Sequence, residues 1–136
     1  MTGVVVYDSG MLIALVRRKG LVQHQHQQII RYARPIVPGP VLAQVWRDDP
    51  ATRYILGRYL RECSVHTDYT EHDYKRIGVI LSDVLLPAKK RPDVVDALLV
   101  LTAVKHGKAS ILTSDAGDIG AYLDTLPKAD VRIVGV

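Results

Sequence analysis

The sequence predicts an α/β fold in which helices cover a parallel sheet, and three observations carry that prediction. Short runs rich in Val and Ile recur along the chain. Unbroken apolar runs of this kind mark strands buried on both faces, as parallel sheets require. Between the runs lie stretches of helical pattern, and strands alternating with helices build parallel sheets. Finally, the 136 residues, 48% hydrophobic and 24% charged, suit a single globular domain spanning residues 1–136.

The elements follow in order. Residues 3–7 read as the first strand. Asp8-Ser9 offers an N-cap to an apolar helix from Met11 to Val16, which Gly20 is expected to end. Residues 21–33 read as a polar helix. Ile36-Val37 forms a very short strand, and Pro40 opens a helix that runs through Trp46 and stops before Pro50. A helix over 51–61 and a short strand at Ser64-Val65-His66 come next. Thr70-Glu71-His72-Asp73 resembles a capping box with Asp in place of the usual Glu, starting a helix that reaches about Leu85. Residues 87–92 form a basic loop. Residues 93–105 are almost wholly apolar at helical length, so this helix is buried, and Gly107 terminates it. A strand over 109–113, a helix over 115–123 and a strand over 131–134 complete the chain.

Composition narrows the function. The 18 Lys and Arg exceed the 14 Asp and Glu, giving a formal charge of +4, which favours a polyanionic partner. The basic residues cluster in Arg17-Arg18-Lys19 and in Lys89-Lys90-Arg91. Cys63 is the single cysteine, so no intrachain disulfide forms, and it reads as a small core hydrophobe. The first residues lack a basic leader, and no stretch approaches the ~20 apolar residues of a membrane span. The expectation is a soluble, cytoplasmic protein with no membrane partner. In QHQHQQ, His24 and His26 stand two apart and share no helix face, so both are expected on a solvated surface.

Aspartate recurs at helix starts: Asp8, then Asp93 with Asp96, then Asp115 with Asp118. Each can be explained as capping, with Asp93 and Asp115 as N-caps and Asp96 and Asp118 three residues on. Their joint placement says more. Residues just past parallel strands lie along one sheet edge, where ligands usually bind, and Asp8 and Asp115 both belong there. Asp96 is the lone charge in Val94-Val95-Asp96-Ala97-Leu98-Leu99, and a carboxylate so placed needs a partner or a cation. Hard oxygen ligands suit Mg²⁺ or Mn²⁺. An acid cluster holding such an ion in a basic protein suggests phosphodiester chemistry on nucleic acid.

Four stretches, "VVVYDSGMLIAL", "VPGPVLAQVWR", "DVVDALLVLTAVKHG" and "ILTSDAGDI", resemble in order and spacing the PIN-domain ribonucleases, specifically VapC-type toxins of type II toxin–antitoxin pairs. The resemblance implies a three-layer α/β/α sandwich with a central, mainly parallel sheet. It implies a metal-dependent endoribonuclease that hydrolyses RNA by a metal-activated water. By position, Asp8, Asp96 and Asp115 match the catalytic acids and, with Asp118, the ligands of one or two Mg²⁺ or Mn²⁺ ions. Ser9 and Ser114 match hydroxyls bordering the site. The resemblance further implies a homodimer and a small antitoxin protein that blocks the site. Lys89, Lys90 and Arg91, just before the Asp93–Asp96 helix, are expected to bind RNA.

One position departs from the pattern: Gln44 stands where the family normally has glutamate. An amide can orient a water but supplies no charge. Asp48, four residues on, is expected on the same helix face as a partial substitute. The alternative function is therefore a catalytically weakened PIN-domain protein acting mainly as an antitoxin- or RNA-binding module. A phosphoacceptor receiver or phosphatase fits less well, because one acid follows the first strand and the last strand has no lysine. A dinucleotide-binding domain lacks its GxGxxG.

Overall fold

A computed structural model of the chain describes residues 3–136. Five strands, β1 (Val4–Tyr7), β2 (Ile36–Pro38), β3 (Ser64–His66), β4 (Ala109–Thr113) and β5 (Val131–Gly135), form one sheet in the order β3-β2-β1-β4-β5. Every pairing is parallel. The seven helices of the described residues are α1 (Ser9–Val16), α2 (Gly20–Ile29), α3 (Gly39–Val45), α4 (Pro50–Leu60), α5 (Glu71–Asp83), α6 (Val94–Lys105) and α7 (Ala116–Asp124), with a 3₁₀ turn at Pro87–Lys89. The chain steps outward from β1 to β3, then returns past β1 to β4 and β5. Right-handed crossovers in opposite directions put the two sets of helices on opposite faces. Accordingly α1 packs with α2, α3 and α4, while α6 packs with α5 and α7. The result is the expected α/β/α sandwich.

The core runs through all three layers. Val5, Val6 and Tyr7 of β1, Ile111 and Leu112 of β4, and Met11, Leu12 and Leu15 of α1 are buried. On α6 the run from Ala97 to Ala103 is buried without interruption, because the helix crosses the sheet centrally and touches β1, β2 and β4. Cys63 is buried in the same cluster, and its thiol is pushed up to about 12, first by burial and then by Glu62. Thr70 and Asp73 form the expected capping box. Gly107 takes φ 81° after α6, a left-handed turn that glycine makes readily.

Three expectations fail for identifiable reasons. Gly20 does not end α1; it opens α2. The end of α1 is closed by Arg18 at φ 55°, with the Arg18 N–H donating to Leu15 O and the Lys19 N–H to Ala14 O. This is a Schellman closure with arginine where glycine is usual, so the sequence carried no signal for it. His26 is not on a solvated surface. It is fully buried, 2.7 Å from the Tyr7 hydroxyl at Nδ1 and 3.1 Å from Glu62 Oε1 at Nε2. Val22, His26 and Ile29 form the buried stripe of α2, and His26 sits within it; His24 is exposed as expected. Asp48 does not share a helix face with Gln44. Helix α3 ends at Val45, Trp46 turns extended at ψ 134°, and Asp48 is solvent-exposed against Arg53 at 3.2 Å.

Candidate functional site

The sheet order reverses between β1 and β4. Their register pairs Tyr7 with Leu112, so the chain leaves both strands side by side at the carboxyl edge. A crevice at such a reversal is the usual ligand site of an open parallel sheet. Asp8 is the first residue past β1, and its N–H donates to Leu112 O at 3.0 Å. Asp115 is the second past β4. Helix α6 must carry the chain back to the start of β4, so its N-terminus, with Asp93 and Asp96, lies at the same carboxyl edge.

Asp8 is only 5% exposed. Its Oδ1 accepts from Ser9 N at 2.7 Å and its Oδ2 from the Thr113 hydroxyl at 2.6 Å. No Lys, Arg or His pairs with it among the described residues. The Thr113 hydroxyl also accepts from Asp115 N at 3.0 Å, so one fully buried threonine joins the two strand-end acids. Asp93 caps α6 as expected, its Oδ1 accepting from Val95 N and Asp96 N, and its own N–H donates to the Tyr122 hydroxyl at 2.8 Å. Tyr122 thereby ties α7 to the start of α6. Asp115 departs from the capping expectation. It stands at the start of α7, but its carboxylate makes no cap bond and is exposed. With its N–H held by Thr113 and its backbone at φ −131°, ψ 61°, its side chain stays outside the helix.

The acids meet at Asp96. Its carboxyl is pushed up to about 7, first by burial and then by the charges of Asp93, Asp8, Asp115 and Asp118. Among the described residues, the one cation in direct contact is Lys90, whose Nζ lies 2.9 Å from Asp118 Oδ2. Asp118 and then Asp115 raise the Lys90 ammonium. Five carboxylates thus share an edge with one bonded ammonium. Among the described residues, no three acid, histidine or cysteine side chains are close enough together to hold a metal ion as they stand. The donor set is nevertheless of the kind a hard divalent cation takes: every candidate ligand is a carboxylate oxygen, Lys90 compensates only Asp118, and Asp8 is buried without a counter-ion.

The remaining expected residues fall around this edge. The Ser9 hydroxyl stands 3.4 Å from Asp8 Oδ1. Ser114 is exposed and packs on Gly10: a Cβ on Gly10 would lie 2.6 Å from Ser114 Cβ and against its Oγ. Only glycine lets the first turn of α1 approach the loop after β4 so closely. Lys89 and Arg91 are exposed beside Lys90. Gln44 lies on the exposed side of α3 and makes no side-chain hydrogen bond among the described residues. Gly10, Thr113 and Tyr122 were missed in the sequence. Thr113 had a usable signal, because the last residue of a strand at a sheet edge presents its side chain to whatever binds there.

A solved structure of VapBC2 from Rickettsia felis, bound to a DNA fragment from their promoter, matches this chain with a TM-score of 0.70, covering 98% of each chain at 8% identity. This chain has a PIN-like fold. The likeness extends over the whole sandwich, and at 8% identity it is a likeness of architecture. No protein-family model matches the sequence, and no curated protein matches it. The PIN-like fold places the reversal of strand order, and with it the acidic edge, at the centre of the sheet.

Proposed function

We propose that this PIN-like protein is a metal-dependent endoribonuclease, the toxin of a toxin–antitoxin pair. The observation that carries the reading is the placement of Asp8, Asp96, Asp115 and Asp118 at the carboxyl edge where the strand order reverses, with the charges of Asp8, Asp115 and Asp118 acting on Asp96. Asp8, Asp96, Asp115 and Asp118 would hold Mg²⁺ or Mn²⁺. A bound divalent cation supplies positive charge against the phosphodiester and acidifies water for attack on phosphorus. The chain's own groups do the rest. Thr113 fixes the Asp8 carboxylate, Asp93 and Tyr122 fix the start of α6, and Lys89 and Arg91 attract the RNA backbone. The structural likeness to a VapBC pair supports an antitoxin of VapB type as partner, and a homodimer belongs to the same proposal.

A weakened enzyme, acting mainly as an antitoxin- or RNA-binding module, is the second reading. Gln44 favours it, since Asp48, exposed and bonded to Arg53, does not replace the missing acid. The test is purified protein with RNA in Mg²⁺ or Mn²⁺ against EDTA. Cleavage that EDTA abolishes is the expected result. Tight antitoxin or RNA binding without cleavage supports the weakened reading, and metal-independent cleavage contradicts both.

A further inference from the structure

Lys90 bonds to Asp118 at 2.9 Å, and no other acid of the edge has a basic partner among the described residues. The two side chains differ in freedom. That of Asp118 is 13% exposed, whereas that of Lys90 is 50% exposed and leads straight to solvent. The loop delivering Lys90 is bent against its own preferences. Ala88 at φ 56° and Lys89 at φ 57° are consecutive left-handed residues, and both carry a Cβ. Among the described residues, the contact with Asp118 is the only side-chain hydrogen bond made by Lys89, Lys90 or Arg91.

We propose that Lys90 is a tethered counter-ion that neutralises Asp118 in the metal-free protein and must leave it before a divalent cation takes that carboxylate. The inference rests on the acidic edge being a metal site. An ammonium and a divalent ion compete for the same oxygen lone pairs, and the divalent ion carries twice the charge on a smaller body. Once displaced, Lys90 stays at the rim, where its loop holds it, and its charge faces the place where phosphate arrives. The same residue would thus hold the edge together without metal and meet the substrate with it.

The test is calorimetric titration of Mn²⁺ into the whole protein and into Lys90→Gln, Lys89→Gln, Asp118→Asn and the Lys90→Gln/Asp118→Asn double variant. Lys89→Gln removes the same charge from an exposed neighbour whose side chain makes no ion pair among the described residues. Lys90→Gln is expected to bind Mn²⁺ roughly fivefold more tightly than the parent, while Lys89→Gln stays within about twofold of it. In the Asp118→Asn background the Lys90 effect should disappear, because the competed carboxylate is gone. Equal affinity in the parent, Lys89→Gln and Lys90→Gln leaves the metal site standing and overturns the displacement by Lys90. An equal gain from Lys89→Gln also overturns it. No Mn²⁺ binding in any of the proteins contradicts the metal site itself, and this inference with it.

Discussion

Asp73 and Asp96 occupy the same position on neighbouring helices and end in opposite states. Each is the third residue after its N-cap, Thr70 on α5 and Asp93 on α6. Both therefore receive the same help from the helix dipole. The Asp73 carboxylate accepts from Lys105 Nζ at 2.7 Å and from Thr70 N at 3.0 Å, and the Lys105 hydrogen bond above all pulls it down to about 2. Asp96, half-buried among four other carboxylates, is pushed up to about 7. Helix position does not decide the chemistry of these acids; the neighbours that the fold brings to them do. Asp73 is finished by its surroundings, as a structural acid should be. Asp96 has no basic partner among the described residues, which is the state the proposed metal site calls for.

The largest break in the comparison should appear in catalysis. Asp8→Asn or Asp96→Asn is expected to lower Mn²⁺-dependent RNA cleavage by about 10²-fold or more, since loss of a ligand should exceed the loss of an outer-shell partner. Asp73→Asn, measured by the same gel assay below its melting temperature, should cut RNA like the parent. Stability should move the other way. Asp73→Asn breaks a satisfied contact with Lys105 and should lower the melting temperature by several degrees. Asp96→Asn relieves like-charge repulsion and should raise that of the metal-free protein at pH 7.5. Thermal melts in EDTA check both signs, and two shifts of the same sign would dissolve the contrast.

The pH profile sharpens it. Asp96 has a folded value raised from 3.8 to about 7, so the folded protein holds more protons than the unfolded chain in that interval. Its contribution is present below 3.8 and is lost as pH rises through about 7. Asp73 is lowered from 3.8 to about 2, so its contribution is present above 3.8 and is lost as pH falls through about 2. Denaturant midpoints of the metal-free protein should therefore decline from pH 4 to 7.5, less steeply in Asp96→Asn. Below pH 4 they should decline again, less steeply in Asp73→Asn. The smallest expected effect belongs to Gln44→Glu. Gln44 is exposed, so an added charge is screened by solvent, and Mn²⁺ affinity should rise by only about twofold. No change by calorimetry would mean that the side chain of residue 44 takes no part in the site.

The sequence showed the architecture because both of its signals are local. Apolar runs at strand length and the wholly apolar α6 leave few alternatives to a covered parallel sheet. It also showed which acids stand at strand ends and helix starts. It did not show what each acid meets, because those contacts join distant segments: Thr113 to Asp8, Tyr122 to Asp93, Lys90 to Asp118. His26 was misplaced for the same reason, since its partners lie on β1 and just past α4. Asp48 failed because the spacing rule assumed that α3 continued, and the extended turn at Trp46 removed that assumption.

If Asp96 is an acid held for a cation, as proposed, its own titration must show it. Carboxyl carbon NMR of the protein, with Asp96→Asn to assign the resonance, should give a midpoint near 7 without metal. Saturating Mg²⁺ should move that midpoint well below the ordinary carboxylate range, while Asp73 stays where it was. An Asp96 resonance that titrates near 3.8 and ignores Mg²⁺ would contradict the account.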